Sequence, residues 1–162
     1  MKQIIISLTC FSLLTISCTS GNKINNTATS ADIEKTIQSN HWVFSAQRAS
    51  GDIGRSRQLT TDYSVMLRGD TMVSYLPYYG RAYAGVAGVE TKSVLDFTSA
   101  QVNQSTSLDK KNTTVVTIKP GDYTEVQSYT FTIFNNGRAE LSVLLVNRSP
   151  ISFSGNISPL KR

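Results

Sequence analysis

A chain of 162 residues with 40% hydrophobic and 17% charged content is long enough for one domain with its own core. The formal charge of +5 is scattered, with adjacent basic pairs at Lys110–Lys111 and at the terminal Lys161–Arg162, which argues against the basic face that nucleic-acid binding needs. Both cysteines, Cys10 and Cys18, fall near the N-terminus. Once a leader is removed, no disulfide, thiolate metal site or cysteine nucleophile is available to the folded body.

The chain opens MKQIIISLTCFSLLTISCTSGN. Lys2 is a short basic region, and the apolar run from Ile4 to Ile16 is too short to span a bilayer as a helix. This is the pattern of a secretory signal peptide over residues 1–17. "LLTISC" resembles a bacterial lipoprotein signal, in which cleavage precedes the cysteine and Cys18 is lipidated. Thr15 is looser than the leucine usual three before the cysteine, and the alternative is a plain secreted protein cut near Ser20. A single acyl chain binds membranes only marginally. The resemblance implies a diacylglyceryl group, often with a third chain. TSGNKINNTATS, residues 19–30, is small and polar and reads as a flexible tether. It has no acidic run of the kind associated with surface export, so the expected location is the periplasmic face of the outer membrane. Residues 31–162 form the single β-rich domain.

One helix is expected in SADIEKTIQSN, with Ser30 or Asp32 as N-cap, Ile33 and Ile37 one turn apart, and Asn40 as the stop. Strand signals follow. HWVFSAQRA places Trp42, Phe44 and Ala46 on one side. YSVMLR and TMVSYL flank Gly69–Asp70, with glycine first as a type II′ turn requires. SVLDF puts Leu95 and Phe97 on one face. TVVTIK ends at Pro120–Gly121, the central pair of an expected type II turn. YTFTIF and RAELSVLLV flank Asn136–Gly137, a strong hairpin signal. In LSVLLV both alternating sets are apolar, so this strand is expected to be central and covered on both faces, and Leu144→Asp is expected to unfold the domain. ISFSGNI closes the series with Ile151 and Phe153 facing one way. The predicted fold is mainly β: an antiparallel meander of about seven to eight strands, curled into a barrel-like or sandwich sheet, with one N-terminal helix.

WVFSAQRA, YSVMLRGDTMVSYLPYYGRAY, IFNNGRAEL and NRSPISFSGNI, spanning most of residues 42–157, together resemble a family of uncharacterised lipoproteins common in Bacteroidota, the domain of unknown function DUF4251. The resemblance implies an envelope location and a strand-rich single domain. It implies no activity and supplies no catalytic residues.

YLPYYGRAY, residues 75–83, is the foremost candidate site. Pro77 lacks a ladder donor and ends the strand. Tyr75, Tyr78, Tyr79 and Tyr83 then either fill a corner of the core, with their hydroxyls partnered, or form an aromatic platform on which Arg81 holds an anion. Arg148, after the long apolar strand, either reaches the same end of the sheet to build an anion pocket or caps a strand end. His41 has no nucleophile or metal partner nearby in sequence and reads as a helix-end cap. Asp62, Asp70, Asp96, Asp122, Glu125 and Glu140 show no spacing that pairs two carboxylates across a cleft, as a glycosidase requires. Asp96 is the one to inspect for burial. The tripeptide RGD at residues 68–70 is read as a hairpin turn rather than an adhesion signal, and GRAYAGVAGVE as a connector without phosphate-loop chemistry. No metal site or cofactor is expected. The function expected is a non-enzymatic binding module for a small ligand, glycan or protein of the envelope. The alternatives are an accessory subunit of an envelope complex and, less favoured, a hydrolase using Asp96 or His41.

Overall fold

The computed structural model describes residues 30–51, 55–83, 92–109 and 113–160. The expected signal peptide, Cys18, the expected tether up to residue 29, the expected connector over 84–91 and both basic pairs lie outside the described residues.

Helix α1, Ser30–Gln38, turns Ile33 and Ile37 inward. It stops where expected: Asn40 takes a left-handed φ of 52°, a conformation asparagine tolerates at a helix end. Ten strands follow. They are β1 His41–Ser50, β2 Ser56–Gln58, β3 Ser64–Arg68, β4 Thr71–Tyr75 and β5 Asp96–Ser99, then β6 Val102–Leu108, β7 Thr114–Pro120, β8 Val126–Ile133, β9 Arg138–Leu145 and β10 Ile151–Pro159. The main order across the sheet is β5-β4-β3-β1-β10-β9-β8-β7-β6, with β2 paired to β1. Every pairing is antiparallel.

The expected mainly β, barrel-like sheet with one N-terminal helix is therefore what forms. Its order is two meanders joined through the pairing of β1 with β10. The outermost strands β5 and β6 are linked by only Ala100 and Gln101, so the sheet must curl until its ends nearly meet. The Val102 amide donates to the Asp70 carbonyl at 3.1 Å and the Gly121 amide to the Gln101 carbonyl at 2.7 Å across this closure. Gln104 Nε2 donates to Asn40 Oδ1 at 3.0 Å, so the end of α1 is tied to β6.

Asp122 fastens the same corner. Its carboxylate accepts from the Ser99 hydroxyl and from the Ala100 amide, the latter at 2.9 Å. These donors, Ser99 first, hold its pKa below the ordinary 3.8. A carboxyl group whose pKa is depressed on folding adds stability above its unfolded value, and that stability is lost as pH falls through the lowered folded value. The thermal midpoint of the wild type is accordingly expected to fall as pH drops below about 3.8. Asp122→Asn should start from a lower midpoint at neutral pH and lose less on acidification. Calorimetric scans across that window would measure it, and parallel acid profiles for the two proteins would contradict it.

The interior is filled. Trp42 meets Phe131 edge-on with ring centroids 5.1 Å apart, and Phe44 meets the same ring at 5.6 Å. Inside the core the Ser74 hydroxyl donates to the Leu95 carbonyl at 2.7 Å and lies 2.9 Å from the Tyr129 hydroxyl, which donates to it. Burial pushes the Tyr129 pKa up, so the phenol stays protonated and keeps its donor role.

Three local expectations turn out differently. Along β9, Leu141, Val143 and Leu145 are buried, whereas Leu144 and Val146 are 43% and 41% exposed. The strand is central in the order but covered on one face only, because the sheet has curled around its own core and none of the described residues buries Leu144 or Val146 on the outside. Leu144→Asp is therefore no longer expected to unfold the domain. Gly121 does not take the positive φ that a type II turn requires of it; instead Pro120 continues β7 and pairs with Val102. At the β8–β9 hairpin the Gly137 amide bonds the Phe134 carbonyl at 2.9 Å. The turn's central pair is thus Asn135–Asn136, with Gly137 following at a φ of 79°. By contrast, Gly69–Asp70 has the expected form, with Gly69 at a φ of 58° and Asp70 not left-handed.

Candidate functional site

β4 ends at Tyr75, and Leu76 and Pro77 turn into the core. The chain then runs along the segment that joins β9 to β10. The Ser149 amide donates to the Arg81 carbonyl at 2.9 Å and the Tyr83 amide to the Asn147 carbonyl at 2.9 Å, and Ala82 bridges Arg148. Ser149 is fully buried. Its hydroxyl accepts from the Arg81 amide at 2.9 Å and lies 3.2 Å from the Tyr78 hydroxyl. The Tyr78 hydroxyl donates to the Ser149 carbonyl at 2.8 Å, with the Arg81 carbonyl 3.0 Å away.

Gly80 makes this knot possible. A Cβ there would overlap the Tyr78 hydroxyl and stand 2.6 Å from Ser149 Oγ. Gly80→Ala is expected to drive the phenol out of the knot and cost about 2 kcal/mol. Tyr78→Phe, which removes the hydroxyl without crowding, is expected to cost about 1 kcal/mol. Denaturant midpoints would rank the two, and the opposite ranking would contradict the account.

Around the knot lies an open cleft of about 540 Å³. Tyr63, Tyr75, Tyr78 and Tyr79 line it, with Leu76, Pro77 and Val94 between them and Lys92, Ser93, Asp96 and Arg148 around them. Tyr63 and Tyr75, from neighbouring strand ends, lie 5.2 Å apart at 36°. The guanidinium of Arg57 on β2 sits 5.0 Å above the Tyr79 ring, and that of Arg148 sits 5.7 Å above the Tyr78 ring. Stacking of this kind holds both a ring and a cation in place. Lys92 Nζ pairs with Asp96 at 3.4 Å. The cleft thus combines flat aromatic faces with two cations and one carboxylate. It can hold a small molecule that offers an apolar face and a polar or anionic edge.

The expected residues are divided by the fold. Tyr75, Tyr78, Tyr79 and Arg148 come together at the cleft, although Tyr78 also serves as the structural corner. Arg81 contributes its backbone to the knot; its side chain, like the Tyr83 ring, is exposed and is not among the lining groups. The expectation that Arg148 reaches the same end of the sheet holds, through Ser149 and Tyr78, but Arg81 and Arg148 do not form a joint anion pocket. Tyr63 and Lys92 at the cleft, and Arg57 over Tyr79, carry no site expectation from the sequence, which marks Asp96 as a carboxylate to inspect for burial and not as a cleft residue. Only Tyr63 carried a usable signal, since it precedes β3 and so faces the end of β4.

The remaining candidates do not converge. His41 Nδ1 is 2.8 Å from the Ser39 carbonyl oxygen, just beyond α1, which is a helix-end contact. Asp70 lies in the β3–β4 turn and Asp122 at the β5–β6 closure. Among the described residues one carboxylate, Asp96, lines the cleft. Among the described residues, no three histidine, cysteine, aspartate or glutamate side chains come together as metal ligands.

The family model DUF4251, "Domain of unknown function", matches residues 25–157. The chain belongs to the DUF4251 family. Among solved structures it is similar to a DUF4251 family protein from Bacteroides eggerthii DSM 20697, with a TM-score of 0.58 and 15% identity over 82% of this chain and 89% of that one. At that identity the likeness carries the fold alone. No curated protein matches the chain.

Proposed function

We propose that this DUF4251 chain is a non-enzymatic binding module of the cell envelope. A lipid on Cys18 holds it at the periplasmic face of the outer membrane, and the tyrosine cleft holds a small envelope ligand. The observation that carries the reading is the open cleft of about 540 Å³ walled by four tyrosines and flanked by Lys92, Asp96 and Arg148. Flat rings and a few convergent polar groups are how small-molecule sites gain affinity and orientation. Among the described residues one carboxylate, Asp96, lines the cleft, whereas glycoside hydrolysis needs two across it, and this supports the binding reading. LLTISC at residues 13–18 supports the anchor.

Native mass spectrometry of the protein purified from its own host tests the ligand. The wild type should carry a small molecule that the Tyr75→Ala/Tyr79→Ala variant lacks, since both rings are exposed and their loss spares the core. Equal loading of the two proteins would overturn the reading. Cys18→Ser should move the protein from a detergent phase to water.

A second reading, an accessory subunit, is favoured by one feature. β6 is an outer strand of the sheet with no charged residue along its length, and Leu108 at its end is 75% exposed. Such an edge invites another strand. Crosslinking in cells that recovers only the monomer would remove this reading.

A further inference from the structure

The outer face of the sheet carries a feature that neither the cleft nor the edge uses. Read across the ladders, Thr117 on β7 pairs with Thr130 on β8, Thr130 with Ser142 on β9, and Ser142 with Ser152 on β10. Ser152 then pairs with Ser50 on β1, and Ser50 with Ser56 on β2. Six hydroxyl residues thus form one rank across six strands, with about 4.8 Å between neighbours. The adjacent rank, one pleat along, contains Thr132, Glu140, Ser154, Arg48 and Gln58.

Two grooves lie over these ranks. One of about 350 Å³ runs over Thr130, Ser142 and Ser152. The other, of about 550 Å³, runs over Gln47, Asn136, Arg138 and Asn156 to Phe134, which is 37% exposed. They share Arg48, Glu140 and Ser154, so they form one continuous trough. Arg48 enters the trough because β1 bulges between Ala46 and Arg48, which re-aims the residue after the bulge.

The lining chemistry selects the occupant. An extended peptide would need a free strand edge, and β8, β9, β10 and β1 are each paired on both sides. A nucleic acid would need a run of cations, and the lining here offers two, Arg48 and Arg138, with the carboxylate of Glu140 among them. A lipid or apolar helix would need large exposed apolar side chains; Leu141 and Phe153 lie at the trough floor but are buried, and Phe134 is the one exposed apolar ring among its lining residues. What fits is a chain that is itself rich in hydroxyls, takes many short neutral hydrogen bonds and offers one ring face for stacking. We propose that this trough is a second binding site of the protein and that it takes a neutral oligosaccharide strand, laid across β8, β9, β10 and β1 with one sugar stacked on Phe134.

The test titrates the full-length chain with cellohexaose, maltohexaose and the hexamer of N-acetylglucosamine, following backbone amides by NMR. At least one hexasaccharide should shift Ser142, Ser152 and Ser154, and its monosaccharide should bind about tenfold or more weakly. Ser142→Lys/Ser152→Lys fills the trough from two exposed positions and should abolish the shifts while leaving the fold intact. Tyr75→Ala/Tyr79→Ala should leave them unchanged, which separates this site from the tyrosine cleft. No shift with any of the three hexasaccharides, equal binding by the lysine variant, or shifts confined to the cleft would each overturn the proposal.

Discussion

Val143→Asp is expected to leave the chain unfolded at room temperature, while Leu144→Asp, one residue along, changes stability by no more than about 0.5 kcal/mol. The two substitutions are chemically alike and differ only in the face they occupy. Val143 is fully buried and sits between Ile151 on β10 and Tyr129 on β8. A carboxylate there would lie inside the buried core, and an uncompensated buried charge costs several kcal/mol. A domain of this size has a total stability of about 5–15 kcal/mol. Leu144 is 43% exposed, and an aspartate there is hydrated. Far-ultraviolet circular dichroism and urea midpoints of the two variants would measure the contrast. Two folded proteins of equal stability would show that the curled sheet does not enclose a dry interior on the side of Val143.

Gly155→Ala should be nearly as damaging, for a steric reason. Gly155 on β10 lies opposite Ala46, immediately before the β1 bulge. A Cβ at this position would overlap the Ser45 carbonyl oxygen and stand 2.9 Å from its carbon and 3.1 Å from the Ala46 Cα. All three atoms are backbone, so no rotamer change relieves the clash, and the β1–β10 seam must part. Because that seam joins the two meanders, the expected loss is about 3 kcal/mol or more. Gly69→Ala is the control. Gly69 has a φ of 58° but nothing within 4 Å of an added Cβ, so it should lose only the left-handed strain, about 1 kcal/mol. Denaturant unfolding of both variants would rank them, and a Gly155→Ala protein no weaker than Gly69→Ala would refute the tight seam.

What the sequence made legible was what short-range physics determines. Asn40 stops α1, and Gly69 supplies the positive φ of its turn, because each needs only its own neighbours. Trp42, Phe44 and Ala46 alternate into the core because side chains on a strand alternate. The misreadings came from long-range structure. Pro120 looked like a turn because its partner Val102 is remote in sequence. Leu144 looked buried because it is apolar, but apolar residues are not obliged to be inside. The pairing of β1 with β10 left no local mark at all. The site divided in the same way: its tyrosines were conspicuous as a cluster, but Lys92 and Asp96 reach the cleft from other elements, and Arg57 reaches the Tyr79 ring from β2.

The cleft as a ligand site is tested most directly by its own rings. The chain has seven tyrosines, and selective isotope labelling lets NMR follow each one while a small-molecule extract of the host envelope is added. Tyr63, Tyr75, Tyr78 and Tyr79 should move together, with Tyr123 and Tyr129 unmoved. Seven stationary tyrosines, or movement that spares the four at the cleft, would contradict the account.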